Sequence, residues 1–331
     1  MRFEHFAGNA PAKRLLAAAV DTERFPHALV IEGPPGSGRR TLARQLAKAA
    51  VCLSEGEKPC GVCPGCIKAA AGGHPDITEV GGDGAARSFH IDAVRAVRDS
   101  AYVLPNEAPR RVILLVGAHN MTEQAQNALL KILEEPPAHV AFILTCENRA
   151  QLLPTVLSRS VCVALAGVPE EEALPLLRER LPNKDPDELR RALAVFGGII
   201  GRVLDGMEDG SFQRVLELTP AMAEAIIAPD ELTLLRLAAS LDRDRETIAG
   251  VLGGLHLLLR DALVRRCGGK QLAALSTAPE TADKLSRALT RSQLMALVET
   301  VEGLQQALSR NMNMTLFATL LAARLRAAAG R

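Results

Sequence analysis

Short apolar runs alternate with helical patterns along the first half of the chain. Between Phe25 and about Leu165, apolar runs of strand length are separated by segments whose apolar residues recur every three or four positions. This alternation is typical of βαβ units around a mainly parallel sheet. The predicted strands are Ala28–Ile31, Ile77–Val80, Val112–Val116, Ala141–Thr145 and Ser160–Ala164. The pattern therefore predicts an α/β core with a nucleotide-binding topology.

Helices are predicted between these strands. One follows the glycine-rich stretch at 33–41, one lies around Asp92–Ala101, and one covers Met121–Glu134, where Pro136-Pro137 stops it. After about residue 166 no strand is convincing. Three short helices are predicted at Glu170–Arg180, Pro186–Val195 and Gly201–Met207.

The remaining chain, from Ser211 to Arg331, predicts long amphipathic helices. Their expected breaks are at Pro220, Pro229-Asp230, Gly268-Gly269 and Pro279. We therefore expect three domains: an α/β core over 1–166, a small three-helix lid over 167–210, and an all-helical C-terminal domain over 211–331.

Composition narrows the class of protein. Apolar residues make up 48% of the 331 residues and aromatic residues only 3%, so the cores must be built from Leu, Ala, Val and Ile. A net charge of +1 argues against a globally cationic nucleic-acid binder, and few aromatics leave little for base stacking. The N-terminus has no apolar leader, and no stretch approaches the ~18 apolar residues of a membrane span. We expect a soluble, cytoplasmic protein, in which seven cysteines do not form structural disulfides.

The glycine-rich stretch from Gly33 to Thr41 has the frame of a phosphate-binding loop. In the working motif G-x-x-x-x-G-K-[ST], backbone N–H groups cradle phosphates, the lysine reaches the β and γ phosphates, and the hydroxyl ligates Mg²⁺. Here Arg39 replaces the lysine and Arg40 the hydroxyl. A guanidinium is broader than an ammonium and cannot ligate a cation. A plain Gly/Pro turn between strand and helix is the alternative interpretation.

The acidic residues of an ATP-hydrolysing site are missing as well. A carboxylate pair is expected where the strand Val112–Val116 ends, but Val116 and Gly117 fill those positions. His119 follows, and a solvated polar residue in a turn is a better interpretation of it than a catalytic base. The residues around the loop predict weak or absent nucleotide binding through Gly33, Gly36, Gly38, Arg39 and Thr41, and no productive binding of ATP with Mg²⁺.

Four cysteines form the second strong pattern. Cys52, Cys60, Cys63 and Cys66 have the spacing C-x7-C-x2-C-x2-C within a segment rich in Gly and Pro. Four thiolates suit tetrahedral Zn²⁺, and a closed shell of this kind is structural. A redox C-x-x-C pair is the alternative. The other three cysteines, Cys146, Cys162 and Cys267, are expected to be ordinary core thiols.

A chain of motifs resembles the bacterial clamp-loader branch of the AAA+ ATPases. The most specific is Ala125–Pro137 (AQNALLKILEEPP), followed by Phe142–Thr145 and Leu157–Ser160. The cysteine module placed after the loop helix is similar to that branch's zinc module. Further matches are Gly73–Asp76 (GHPD), Ile91–Arg95 (IDAVR) and Arg310–Asn313 (RNMN).

The resemblance implies an AAA+ core, a helical lid and a collar that oligomerises. Because Arg39, Arg40, Val116 and Gly117 depart from the motor subunits, the chain resembles the non-hydrolysing, stator-type member of the clamp loader of DNA polymerase III. The implied partners are the motor subunits gamma/tau and the delta subunit, with the sliding clamp and primed DNA reached through the complex.

Arg159 is the one catalytic residue that the resemblance implies. In the family, the arginine of a Ser-Arg-Cys motif points into the ATP site of the neighbouring subunit, and Ser158-Arg159-Ser160 keeps Ser-Arg. An arginine favoured by a helix C-terminus is the alternative. The motor subunits carry a lid arginine that senses the nucleotide, and by the spacing of the motif Gly201, not Arg202, takes its place here. Asn148 is a candidate remnant of the polar residue that senses the γ-phosphate.

Two other classes of function are weighed against this one. An independent ATPase would need a carboxylate that the motifs do not show. A zinc-dependent DNA-binding protein would bind DNA alone with a steep salt dependence. Near-zero net charge and few aromatics argue against the second class.

Overall fold

A computed structural model describes residues 1–22, 24–81, 91–241, 244–269, 275–308 and 313–331, with the side chains of 91 and 92 left out. Arg310, Asn311 and Met312, which belong to one of the family-like motifs, lie outside these residues. The chain divides into two compact units, Met1–Val168 and Pro169–Arg331.

The first unit is built on a five-stranded parallel sheet. Its strands are β1 Ala28–Glu32, β2 Ile77–Gly81, β3 Arg111–Val116, β4 Val140–Cys146 and β5 Val161–Ala164. They lie in the order β2-β3-β4-β1-β5. All five predicted strands are confirmed. β3 and β4 are buried along their whole length, which explains why their sequences are almost entirely apolar.

Helices cover both faces of the sheet. They are α1 Ala10–Asp21, α2 Arg39–Ala50, α3 Pro64–Ala70, α4 Ile91–Ala101, α5 Glu123–Glu134 and α6 Pro154–Leu157. Alternate strand residues face opposite helices: Leu29 and Leu114 join Leu16 and Leu42 in one cluster, whereas Val30, Ile113 and Phe142 face α4 and α5 in the other. The carboxyl ends of β3, β4 and β1 therefore share one edge, where ligands bind in open α/β sheets.

The second unit is entirely helical in its described residues. It contains α7 Glu170–Arg180, α8 Pro186–Val195, α9 Ile200–Glu208, α10 Ser211–Ile227, α11 Glu231–Ser240, α12 Arg245–Arg266, α13 Pro279–Ala288, α14 Arg291–Leu308 and α15 Met314–Ala328. α12 lies against α10, α13 and α14, and α8 also contacts it. The α/β core with a parallel sheet and a helical C-terminal region is confirmed.

The break expected at Pro220 is wrong. Pro220 lies inside α10, which runs unbroken to Ile227. Buried residues lie on both sides of it, including Val215, Met222 and Ile226, and the helix packs against α9, α11, α12 and α13. Tertiary packing of this kind outweighs the loss of one intrahelical hydrogen bond at a proline.

One described helix, α12, is long and apolar enough to cross a membrane by length and composition. Its most apolar 18-residue window has a mean hydropathy of 1.5, and 61% of that window is buried inside the protein. Burial to that extent is what a core helix shows, since Leu252, Leu255 and Leu259 pack inside the helical unit.

Candidate functional site

The glycine-rich loop joins β1 to α2 at the carboxyl edge of the sheet. Gly36 and Gly38 have φ of 78° and 87°, a region that favours glycine. A Cβ on Gly38 would lie 2.9 Å from the ring of Phe6, and one on Gly33 would lie 2.6 Å from Ser37 Oγ. Close packing and positive φ therefore require the glycines of this loop, and Thr41 lies exposed in the first turn of α2.

Arg39 turns inward at this edge. It begins α2, is only 6% exposed, and places Nη2 4.0 Å from Glu147 Oε1. Nε2 of His119 lies 3.8 Å from the same oxygen. Glu147 follows β4 and His119 follows β3, so the ends of three strands bring these side chains together. A phosphate placed beside Arg39 would also meet the negative charge of Glu147, whose side chain is 33% exposed.

His119 differs from its prediction. It does lie in a turn, the short 3-10 segment Ala118–Asn120, but its side chain is only 11% exposed rather than solvated. The reason is its place between β3 and Glu147 at the buried edge. Glu147 belongs to none of the sequence motifs, because its significance depends on which side chains the fold brings near it.

Arg40 turns the other way, towards the edge strand β2. Its Nε donates to Glu79 Oε1 at 2.9 Å, and Arg44, one turn later on α2, donates to Glu79 Oε2 at 2.8 Å. Burial opposes ionisation of Glu79, but hydrogen bonds from Arg44 and Arg40 outweigh it and hold the pKa of Glu79 below its usual value. The guanidinium at position 40 is therefore committed to a carboxylate outside the loop.

The end of β3 carries no acidic chemistry. Val116 is buried, and Gly117 has φ 76° with its N–H donating to Thr145 Oγ1 at 3.0 Å. That bond links the ends of β3 and β4.

The candidate sensor positions have structural contacts of their own. Asn148 is exposed, and its Oδ1 accepts the Ala150 N–H at 2.8 Å, which caps the turn after β4. In the second unit, Gly201 lies in the first turn of α9, and Arg202 Nε is 3.1 Å from Glu246 Oε2 on α12.

The four cysteine sulfurs converge. All four Sγ atoms of Cys52, Cys60, Cys63 and Cys66 lie within 4.8 Å of one another. The Cys52–Cys63 and Cys60–Cys66 sulfur pairs are 4.0 and 3.9 Å apart. Tetrahedral zinc with Zn–S bonds of about 2.3 Å places its sulfurs about 3.8 Å apart, whereas a disulfide needs about 2.05 Å. The four residues fit a metal ion of zinc's preferences.

Backbone N–H groups orient the same sulfurs. The N–H groups of Cys60, Cys63 and Cys66 donate to the sulfurs of Cys52, Cys60 and Cys63 at 3.3 to 3.4 Å. These bonds partly neutralise thiolate charge and support the fit to a metal.

Among the other cysteines, Cys146 is buried and Cys162 half-buried. Cys267 is exposed, so its prediction as a core thiol is wrong: it caps the C-terminus of α12 rather than facing the bundle.

Arg159 follows the single-turn helix α6. Its Nη1 donates to the backbone oxygen of Thr155 at 2.9 Å and to Ser158 Oγ at 3.2 Å, and its Nη2 donates to Glu134 Oε1 at 2.6 Å. One third of its side chain is exposed, at an open recess lined by His27, Leu133, Glu134, Ser158 and Arg159. Ser160, at the expected cysteine position, donates its hydroxyl to the Val156 oxygen at 2.9 Å, so serine fits the turn.

Two buried polar side chains were missed as positioning residues. Gln126, on α5, is 4% exposed and hydrogen-bonds to the segment that precedes α6. Asp76 is fully buried and accepts the N–H groups of Asn106, Glu107 and Ala108 at 2.6 to 2.9 Å. Both belong to quoted motifs, and a polar residue inside an apolar pattern was the available signal.

Comparison with known proteins places the chain in a family. A family model described as DNA polymerase III, delta subunit, matches residues 8–169. The DNA polymerase III subunit delta' of Escherichia coli K12 is 32% identical over 284 residues, which cover 86% of this chain and 83% of that protein. Subunit delta' of Yersinia pestis is 37% identical over 56% of this chain and 63% of its own length.

One further similarity covers less of the chain, and another is between structures. Subunit gamma/tau of Mycobacterium tuberculosis H37Rv is 37% identical over 48% of this chain and 27% of its own length. A solved gamma subunit-related protein from Thermotoga maritima covers 96% of this chain and 99% of itself, at 19% identity and a TM-score of 0.44. Since the E. coli relative matches across most of both sequences, the chain belongs to the DNA polymerase III delta' subunit family.

Proposed function

We propose that this protein is a non-hydrolysing subunit of the DNA polymerase III clamp loader, a stator that supports ATP-driven loading of the sliding clamp onto primed DNA. It has no ATPase activity of its own and supplies Arg159 as an arginine finger to the ATP site of a neighbouring motor subunit. The similarity to delta' subunits and to gamma/tau subunits supports the assembly.

The observation that carries the proposal is the pairing of both loop arginines with carboxylates of the same chain. Arg39 faces Glu147, and Arg40 binds Glu79, at the two positions where ATP hydrolysis needs a lysine and a hydroxyl. Glu147 repels a phosphate from the loop. Because both loop arginines are paired with carboxylates of the same chain, the loop does not fit ATP with Mg²⁺ and takes no part in hydrolysis.

Arg159 has the complementary properties. It lies at an open recess, and its backbone is fixed by the hydrogen bonds of the α6 turn, including that of the Arg159 N–H to the Val156 oxygen at 3.2 Å. A guanidinium held in this way stabilises negative charge that develops on a transferring phosphoryl group. The partner subunit supplies the nucleotide and the attacking water, and this chain supplies a fixed positive charge.

The remaining assignments belong to the same proposal. Cys52, Cys60, Cys63 and Cys66 hold a structural Zn²⁺, which closes the module between α2 and α3 and leaves no open coordination position. α7, α8 and α9 form the lid, and the helices from α10 onward form the collar that binds the motor subunits gamma/tau and the delta subunit. The protein acts in the cytoplasm.

Two experiments test this function. First, calorimetry and a phosphate-release assay on the purified chain should show no Mg²⁺-dependent ATP binding and no turnover; micromolar binding would contradict the proposal. Second, the chain is mixed with gamma/tau and delta subunits, and assembly is followed by light scattering. Arg159→Ala should assemble normally but lower DNA-stimulated ATP hydrolysis. Arg98→Ala should not, since within the part of the chain that the structure describes the Arg98 side chain pairs with Asp99 alone.

A further inference from the structure

Glu134 occupies an unfavourable place for a carboxylate. It is the last residue of α5, immediately before Glu135 and Pro136-Pro137. The C-terminus of a helix carries partial negative charge, so a carboxylate there is disfavoured unless a cation lies nearby. The cation is Arg159, 25 residues later in the chain.

The contact between them is short and one-sided. Glu134 Oε1 accepts from Arg159 Nη2 at 2.6 Å, while Nη1 is bound by the Thr155 oxygen and Ser158 Oγ. An arginine has five N–H donors, two on each terminal nitrogen and one on Nε. Three of them are used by these contacts. Within the described residues, the Nε–H and one Nη2–H are left for another acceptor.

Each of these contacts holds a different part of the guanidinium. The Thr155 and Ser158 contacts come from the residues just before Arg159, so they fix Nη1 against its own turn. Glu134 comes from a different helix, so it fixes the rotation of the fork relative to α5. Because Glu134 accepts only one hydrogen of Nη2, the Nε–H and the second Nη2–H can still donate to another anion.

We propose that Glu134 is a positioning residue for Arg159: it holds the guanidinium so that its remaining donors face the phosphate of a neighbouring subunit's nucleotide. This inference rests on the proposed function of Arg159. It assigns a role to the first glutamate of the Leu133-Glu134-Glu135 segment, which the proposed function leaves unexplained.

Glu135 provides a matched control. It is the next residue, has the same charge and is exposed. Among the described residues its side chain forms no hydrogen bond or ion pair, and only its backbone N–H is bound, to the Lys131 oxygen at 3.3 Å. Substituting it changes the net charge of the same helix end without touching Arg159.

The test is a double-mutant cycle in the reconstituted assembly, read as kcat and KM for DNA-stimulated ATP hydrolysis. Glu134→Ala should lower kcat of the site that receives Arg159 roughly tenfold, the factor for one lost oriented hydrogen bond, with KM nearly unchanged. Glu134→Gln, which keeps an acceptor oxygen, should recover part of the loss. Glu135→Ala should match wild type.

The coupling separates this inference from the function on which it rests. In an Arg159→Ala background, Glu134→Ala should add no further loss, because Glu134 acts only through the arginine. Multiplicative losses would overturn the positioning role, and so would wild-type or faster hydrolysis by Glu134→Ala while Arg159→Ala is slow. If Arg159→Ala itself hydrolyses ATP at the wild-type rate, the finger fails and the positioning role fails with it.

Discussion

The backbone N–H of Leu153 donates to the side-chain oxygen of Gln126 at 2.7 Å, and this bond fixes the segment that leads into α6 and Arg159. The amide nitrogen of Gln126 completes the link, since it donates to the backbone oxygens of Met121 and Gln151 at 3.4 and 3.3 Å. One buried amide thus joins the start of α5 to the loop after β4.

Gln126→Leu should destabilise the first unit. The substitution keeps an apolar volume but leaves the Leu153 N–H without its acceptor, a loss of about 1–3 kcal/mol in the free energy of unfolding. Urea denaturation monitored by circular dichroism measures it. Gln124→Leu, at an exposed position of the same helix, is the control and should change stability by less than about 0.5 kcal/mol. Equal midpoints for the two variants would contradict the role assigned to Gln126.

Removal of the metal ligands should be selective. The purified chain should contain one zinc ion, and Cys60→Ser or Cys66→Ser should lose it together with a large part of the thermal stability, because metal binding supports the fold of the module. Elemental analysis and thermal unfolding measure both effects. Cys267→Ser, at the exposed cysteine, should leave metal content and Tm unchanged. If the wild-type chain is purified without metal and is no more stable than the Cys60→Ser and Cys66→Ser variants, the metal site is contradicted.

Asp76 should contribute a pH-dependent part of stability. Burial opposes its ionisation, but the N–H groups of Asn106, Glu107 and Ala108 outweigh this and lower the pKa of Asp76. A folded pKa below the unfolded value of about 3.9 gives stability that is fully present above that pH and is lost as the pH falls through the folded pKa.

Asp76→Asn should therefore be less stable than wild type at pH 7, and the gap should narrow as the pH falls below about 4. Urea unfolding at both pH values gives the comparison. Asp99→Asn, at an exposed carboxylate paired with Arg98, is the control and should show little difference at either pH. A gap that is independent of pH would contradict the hydrogen-bonded carboxylate.

Restoring the loop residues should not restore an ATPase. Arg39→Lys combined with Arg40→Thr rebuilds the loop motif, but Val116 and Gly117 still provide no carboxylate for Mg²⁺ or water. Gly117 has φ 76°, so a glutamate there would also be strained. Phosphate release by the isolated double variant should stay at background; measurable turnover would mean that the two arginines alone had silenced the site.

The sequence predicted the sheet well because its buried strands are β-branched apolar runs between glycine and proline signals. It did not predict α1, although Pro11 near its start and the apolar positions Leu16 and Val20 are consistent with a helix. Pro220 was misread as a break because local propensity cannot register the packing that spans it.

The candidate site divides in the same way. Residue types at motif positions, such as Arg39 or the cysteines, were readable from local spacing. The carboxylates that engage the arginines were not: Glu79 and Glu147 lie 39 and 108 residues from Arg40 and Arg39, and only the strand order brings them together. The role of Glu134 could not be predicted either, because it depends on the turn that brings Arg159 within hydrogen-bond distance.

Single-turnover hydrolysis of ATP by the preformed, DNA-bound assembly tests the central claim most directly, because it separates the chemical step from assembly and product release. With wild-type protein, Arg159→Lys and Arg159→Ala in matched complexes, the account predicts that both variants slow the phase belonging to the site next to this subunit. For Arg159→Ala the factor should approach the ~10³ typical of a lost arginine finger. Identical phases for all three proteins would contradict it.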